Sequence, residues 1–133
     1  LTPIINNLFN QVAFRYCYYR AKGDDISQII NFTSEVALAV FGDDNMFGVH
    51  PSIIEIFNEM TICAFMAELG LTYTNETKTG VSHVLRTLFD ISFLKRGFRF
   101  EPELNRVVAP LELDVILEMV LWTKSTADKD NIV

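Results

Sequence analysis

Residues 34–49, SEVALAVFGDDNMFGV, constrain this chain more than any other stretch. An apolar, β-prone run climbs to Gly42-Asp43-Asp44 and a second short apolar run leads away, which predicts two antiparallel strands joined at a tight turn. Adjacent carboxylates at a hairpin tip work against stability, because like charges repel and strands disfavour Asp. They make sense where something cationic sits against them, and a divalent metal bound to a nucleoside triphosphate suits that place best. The chain carries its own control. Gly23-Asp24-Asp25 is the same tripeptide, but it follows a helix end and Lys22 with no apolar run leading in, so it reads as a solvated turn.

Around this hairpin the pattern alternates between helical and strand periods. Residues 2–21 predict a helix, with Ile5, Leu8, Val12, Tyr16 and Tyr19 at three-to-four spacing, Pro3 in its first turn and Gly23 as its stop. In residues 34–41, Val36, Leu38 and Val40 face one side and Ala37, Ala39 and Phe41 the other. Both sides are apolar, so this strand is expected to be central and at least partly covered on both faces. Pro51 is expected to open a long helix through Glu68, stopped by Gly70, with Ile53, Phe57, Met60, Ala64 and Ala67 as its inner stripe. Residues 71–74 read as a short strand. Residues 91–94 and 98–100 flank Lys95-Arg96-Gly97 as a hairpin with glycine in the turn, and residues 107–109 read as a further strand. Pro110 precedes an amphipathic helix through Trp122. The sum is an α+β layer, a small antiparallel sheet with helices packed on one face.

Composition narrows the function classes. Half of the 133 residues are hydrophobic, mean hydropathy is +0.22 and there are 11 Phe, which is rich for a free-standing domain and suggests faces that touch further protein. The net charge of −6 means that any contact with nucleic acid must be local rather than through bulk charge. No apolar run approaches the roughly 18 residues of a membrane span. Leu1 starts inside the first helix pattern without an initiator Met, so the chain reads as cut from a longer polypeptide. Cys17 and Cys63 both lie in helical patterns and are expected to be reduced thiols. His50 and His83 match no metal-ligand spacing.

With Phe41-Gly42-Asp43-Asp44 as anchor, five motifs fall in order along the chain. They are Thr2 with Asn6, the hairpin itself, Gly70-Leu71-Thr72-Tyr73-Thr74 with Lys78, Phe93-Leu94-Lys95-Arg96 followed by Phe98-Arg99, and Pro110 with Trp122-Thr123-Lys124. This order resembles the palm of the RNA-dependent RNA polymerases of picorna-like positive-strand RNA viruses. The first hairpin position is usually Tyr in that family and is Phe41 here, a change that leaves the carboxylates untouched.

The resemblance implies a partial polymerase palm over residues 1–124, with residues 125–133 starting the thumb. It implies that Asp43 is a direct ligand of Mg²⁺ or Mn²⁺ and Asp44 a second one, in a two-ion site of the intact parent. Asn6, supported by Thr2, would read the ribose 2′-hydroxyl of the incoming nucleotide, since an amide can both donate to and accept from it. Lys78 would be the general acid for the departing pyrophosphate. Lys95 and Arg96 would lie along the primer or RNA backbone. Implied partners are RNA template and primer, nucleoside triphosphates, a small Tyr-bearing protein primer, and the fingers and thumb of the same polypeptide. The implied location is the host cytoplasm, at virus-induced membrane replication sites. The family's Ser-Gly is expected just upstream of Leu1 and a further Asp on an upstream strand, so the isolated fragment is expected to be inactive. Two alternatives stand beside this reading: a reverse transcriptase palm, which shares the dyad but lacks the Phe-Leu-Lys-Arg run, and a non-catalytic interaction domain that kept the fold.

Overall fold

The computed structural model describes residues 1–75 and 85–121. The chain forms two compact units, Leu1–Leu85 and Arg86–Val133.

The first unit is built on α1 (Thr2–Ala21), which begins with Pro3 in its first turn and ends at Gly23, where φ is +74°. A 3₁₀ stretch (Ile26–Asn31) and a single helical turn, α2 (Phe32–Glu35), lead into the hairpin of β1 (Val36–Phe41) and β2 (Asp44–Val49). Their antiparallel register places Val36 opposite Val49, Leu38 opposite Phe47, Val40 opposite Asn45 and Phe41 opposite Asp44. The face carrying Val36, Leu38, Phe47 and Val49 packs into the core; on the other face Ala37 and Gly48 are exposed and Phe41 is 58% exposed. Ala39 and Met46 on that outer face are half-buried, so among the described residues it keeps only part of the expected cover.

The expected helix from Pro51 to Glu68 is broken. Residues Pro51–Ile53 form a 3₁₀ turn, and α3 runs only from Glu59 to Glu68. The break is chemical. The Asn58 side chain accepts from the backbone N–H groups of Met60 and Thr61, while the Thr61 hydroxyl accepts from the Asn58 N–H, a capping box that starts a new helix there. The restart shifts the buried face. Ile53 and Phe57 are buried as expected, but Met60, Ala64 and Ala67 are exposed and Ile62 and Met66 take their place. A similar correction applies to α1, whose core face is Ala13, Phe14, Cys17 and Tyr18, whereas Leu8 and Val12 of the expected stripe are 63% and 67% exposed. Apolar residues occur all round this helix, so spacing alone did not choose the face that packs on α3 and β1.

The core is aromatic. Phe14 meets Phe47 and Tyr73, Tyr18 meets Phe32 and Phe57, and Phe47 meets Phe57, with ring centroids 5.3–6.2 Å apart and tilted or edge-on geometry. Full burial of Phe14, Phe57 or Ile62 contributes roughly 1.5–3 kcal/mol each relative to exposure. Cys17 is buried and free, its thiol pushed up to about 12 by burial, and Cys63 is half-buried and free. Residues 71–74, expected as a short strand, have no strand conformation and form no ladder with the described strands.

The second unit holds β3 (Arg99–Glu101) paired antiparallel with β4 (Arg106–Val108), followed by α4 (Leu113–Met119). Among the described residues the fold is thus α+β with two two-stranded sheets. The expected pairing of residues 91–94 with 98–100 does not form: Arg99–Glu101 pairs with β4 instead, and a tighter turn closes between Phe93 and Arg96. Phe93 and Arg96 exchange both backbone hydrogen bonds at 3.0 Å, and Leu94 and Lys95 form the turn with φ of +53° and +60°. Positive φ at both central positions defines a tight type I′ turn that usually takes Asn or Gly, which is why Gly97 was the natural but mistaken choice.

Candidate active site

The Gly42-Asp43 turn is a two-residue loop between Phe41 and Asp44, with φ of +62° at Gly42 and no positive φ at Asp43. Glycine in the first central position is the pattern of a type II′ turn, whose twist matches that of the strands. A Cβ on Gly42 would meet nothing within 4 Å, so the requirement for glycine here is conformational, not steric crowding. The turn sets Asp43 at the tip and Asp44 at the start of β2. Strand alternation places Asp44 on the open face beside Phe41, and Asn45 on the core-side face beside Val40.

Both carboxylates are exposed, and among the described residues neither takes part in a hydrogen bond or ion pair. The backbone that carries them is fastened instead. The Gly42 N–H donates to Asn7 Oδ1 at 2.6 Å, and Asn10 Nδ2 donates to the Gly42 carbonyl at 2.7 Å and to the Asn6 carbonyl at 3.1 Å. Beyond the dyad, the Tyr73 hydroxyl donates to Asn45 Oδ1 at 2.8 Å while its ring packs edge-on against Phe14. The hairpin tip is thus held from α1 on one side and from the segment after α3 on the other.

Of the residues singled out from sequence, Asp43 and Asp44 stand together at the turn. Thr2 and Asn6, four apart on α1, share a helix face; Thr2 is exposed and Asn6 half-buried, one position before the residue that accepts from Gly42. Lys78 lies outside the described residues, as do His83 and Trp122-Thr123-Lys124. Lys95 and Arg96 belong to the second unit and are exposed. There, Arg96 Nη1 donates to the Ala109 carbonyl at 2.8 Å, so this guanidinium also braces its own hairpin. Sequence reasoning missed Asn7, Asn10 and Tyr73. A signal for the first two was present: Asn is a poor residue for a helix interior, and three of them at 6, 7 and 10 call for partners outside the helix.

The donor chemistry fits a hard cation in part. Two exposed, unpaired carboxylates offer the oxygens Mg²⁺ or Mn²⁺ favours, but they cannot fill an octahedron alone. Among the described residues no three His, Cys, Asp or Glu side chains gather into a metal-holding group.

An α+β fold whose held hairpin turn presents paired aspartates has the chemistry a nucleotidyltransferase would use. The sequence model described as viral RNA-dependent RNA polymerase matches residues 1–133, and the chain belongs to that family. It is similar to the replicase polyprotein of Drosophila C virus, at 41% identity over 98% of the chain, and to that of Cricket paralysis virus, at 37% over 98%. The RNA1 polyprotein of Tomato ringspot virus is 41% identical over 92% of the chain. The family match sets aside the reverse transcriptase alternative. The chain spans 8% of the length of the first two relatives and 6% of the third.

Proposed function

We propose that this chain is part of the palm of a viral RNA-directed RNA polymerase, and that the protein containing it transfers ribonucleoside monophosphates from triphosphates to a primer 3′-hydroxyl, releasing pyrophosphate. The observation that carries this reading is the hairpin tip: two carboxylates without partners among the described residues, on a backbone that is itself tightly held. Electrostatic repulsion in such a pair is tolerated when the site exists to bind a cation.

In this reading Asp43 and Asp44 would hold Mg²⁺ or Mn²⁺ together with groups from outside this chain. Bound there, the metal would lower the pKa of the attacking hydroxyl and neutralise charge on the phosphoryl oxygens. Asn6, with Thr2 one helical turn before it, reads the ribose 2′-hydroxyl. Lys78 donates the proton that the departing pyrophosphate takes up. Lys95 and Arg96 face RNA phosphates, where the exposed Lys95 ammonium is available for a charge-assisted contact. RNA template and primer and nucleoside triphosphates follow from the reaction, whereas the other domains of the polypeptide, a Tyr-bearing protein primer and replication membranes in the host cytoplasm rest on the family resemblance.

The test is template-directed incorporation by the intact polymerase. Asp43→Ala is expected to abolish synthesis while the protein stays folded, because removing one of two like charges does not destabilise a turn. Unchanged incorporation would leave the dyad without a catalytic role and favour the non-catalytic interaction domain. Lys78→Leu is expected to slow single-turnover chemistry by about 10²-fold, the usual scale of general-acid catalysis, with nucleotide binding little altered. A change confined to nucleotide binding would remove Lys78 from that role.

A further inference from the structure

We infer that Asn7 and Asn10 are positioning residues that set the metal-binding geometry of the Asp43-Asp44 turn by clamping the Gly42 peptide from both sides. The inference rests on the reading of the dyad given above and extends it to two side chains that touch neither metal nor substrate.

The geometry is specific about polarity. The partner of Asn7 is an N–H, so its amide oxygen must face Gly42; both partners of Asn10 are carbonyls, so its NH₂ must face them. The two side chains therefore satisfy the donor and the acceptor of one residue, 35 and 32 positions away in sequence. Backbone groups in a two-residue loop ordinarily turn to water, and a glycine there is free to change its φ and ψ. Fixing both polar groups of Gly42 removes that freedom where it would otherwise pass directly to Asp43. The anchor is itself rigid, since α1 is seated in the core through Phe14, Cys17 and Tyr18 one and two turns further along.

The polarity supplies a charge-matched test in the intact polymerase. Asn7→Asp keeps an oxygen that accepts from the Gly42 N–H, whereas Asn10→Asp replaces the donor with an oxygen facing two carbonyls. Both add one negative charge beside the same turn. Asn10→Asp is expected to cut kcat by about 10²-fold, the scale of a small misplacement of reacting groups, with nucleotide KM within about twofold. It is also expected to weaken binding of Mn²⁺ alone, measured by titration calorimetry without nucleotide, by about tenfold. Asn7→Leu should behave as Asn10→Asp does, and Asn7→Asp should restore most of the loss. Equal losses in the two Asp variants would assign the effect to charge and overturn the clamp, as would parent-like kcat and Mn²⁺ binding in Asn10→Asp and Asn7→Leu.

One measurement needs no variant. In the unsubstituted polymerase without metal, the Gly42 amide should exchange at least about tenfold more slowly than that of Asp43, because a hydrogen-bonded amide exchanges only through opening. Equal, fast exchange overturns the clamp even if a variant fails to fold. Asp43→Ala separates the two ideas. If it leaves incorporation intact, the polymerase reading falls; if it abolishes incorporation while the asparagine variants match the parent, only the clamp falls.

Discussion

The tripeptide Gly-Asp-Asp occurs twice in this chain, and the two copies are used in opposite ways. At residues 23–25 the carboxylates serve the fold. Asp24 pairs with the Arg20 guanidinium at 2.6 Å, and Asp25 accepts from the Ser27 N–H and hydroxyl at 3.0 and 2.6 Å, capping the 3₁₀ stretch that follows. At residues 42–44 the fold serves the carboxylates. Asn7 and Asn10 secure the glycine backbone, and the acids keep no partner among the described residues. Both glycines have positive φ, +74° and +62°, but Asp24 is left-handed as well (φ +62°) and Asp43 is not, so the two turns differ in backbone as well as in what surrounds them. A helix end supplies Arg20 in one case; two strands and a neighbouring helix supply a rigid frame in the other.

The contrast is broken most readily at the acids. In the intact polymerase, Asp43→Ala is expected to reduce incorporation by more than about 10³-fold, as loss of a metal ligand would, while Asp24→Ala should leave the rate unchanged and lower the melting temperature slightly. Comparable losses at both positions would erase the distinction. A smaller effect is expected at the glycines. Gly23→Ala and Gly42→Ala each force an L-residue to positive φ and should cost about 1–2 kcal/mol in denaturant unfolding. Only Gly42→Ala should also weaken Mn²⁺ binding. The smallest effect is a pH dependence at the first copy. The Ser27 hydroxyl and N–H hold the Asp25 carboxyl below its usual range. A depressed native pKa stabilises the fold above the ordinary value and loses that contribution as pH falls through the native one. Melting temperature should therefore drop on acidification below about pH 4, and Asp25→Asn should flatten that drop. The Arg20 guanidinium and the Tyr16 hydroxyl do the same for Glu68, and Lys22 and the Tyr18 hydroxyl for Glu35, so part of the acid response will survive the substitution.

Much of this was legible in the chain. The bounds of α1 followed from Pro3 and Gly23, and the hairpin from its apolar runs and glycine, because both depend on local sequence. The distinction between the two tripeptides was legible for the same reason. What escaped had one of three causes. Asn58 and Thr61 carried a readable capping signal, but the apolar residues on either side masked it as one long helix. The faces of α1, the grip of Asn7 and Asn10, and the tie from Tyr73 to Asn45 depend on partners tens of residues distant, which periodicity does not report. The turn at Leu94 and Lys95 escaped because two side-chain-bearing residues at positive φ contradict ordinary preference.

The alternation along β2 has a consequence for how this segment can change over time. Asp44 sits on the open side and Asn45 on the side tied to Tyr73, so adjacent positions carry incompatible duties. Inserting or deleting a single amino acid between Gly42 and Phe47 would exchange them, turning an acid toward the aromatic interior and an amide outward. Viral lineages can therefore vary which residues occupy this ribbon far more freely than how many there are.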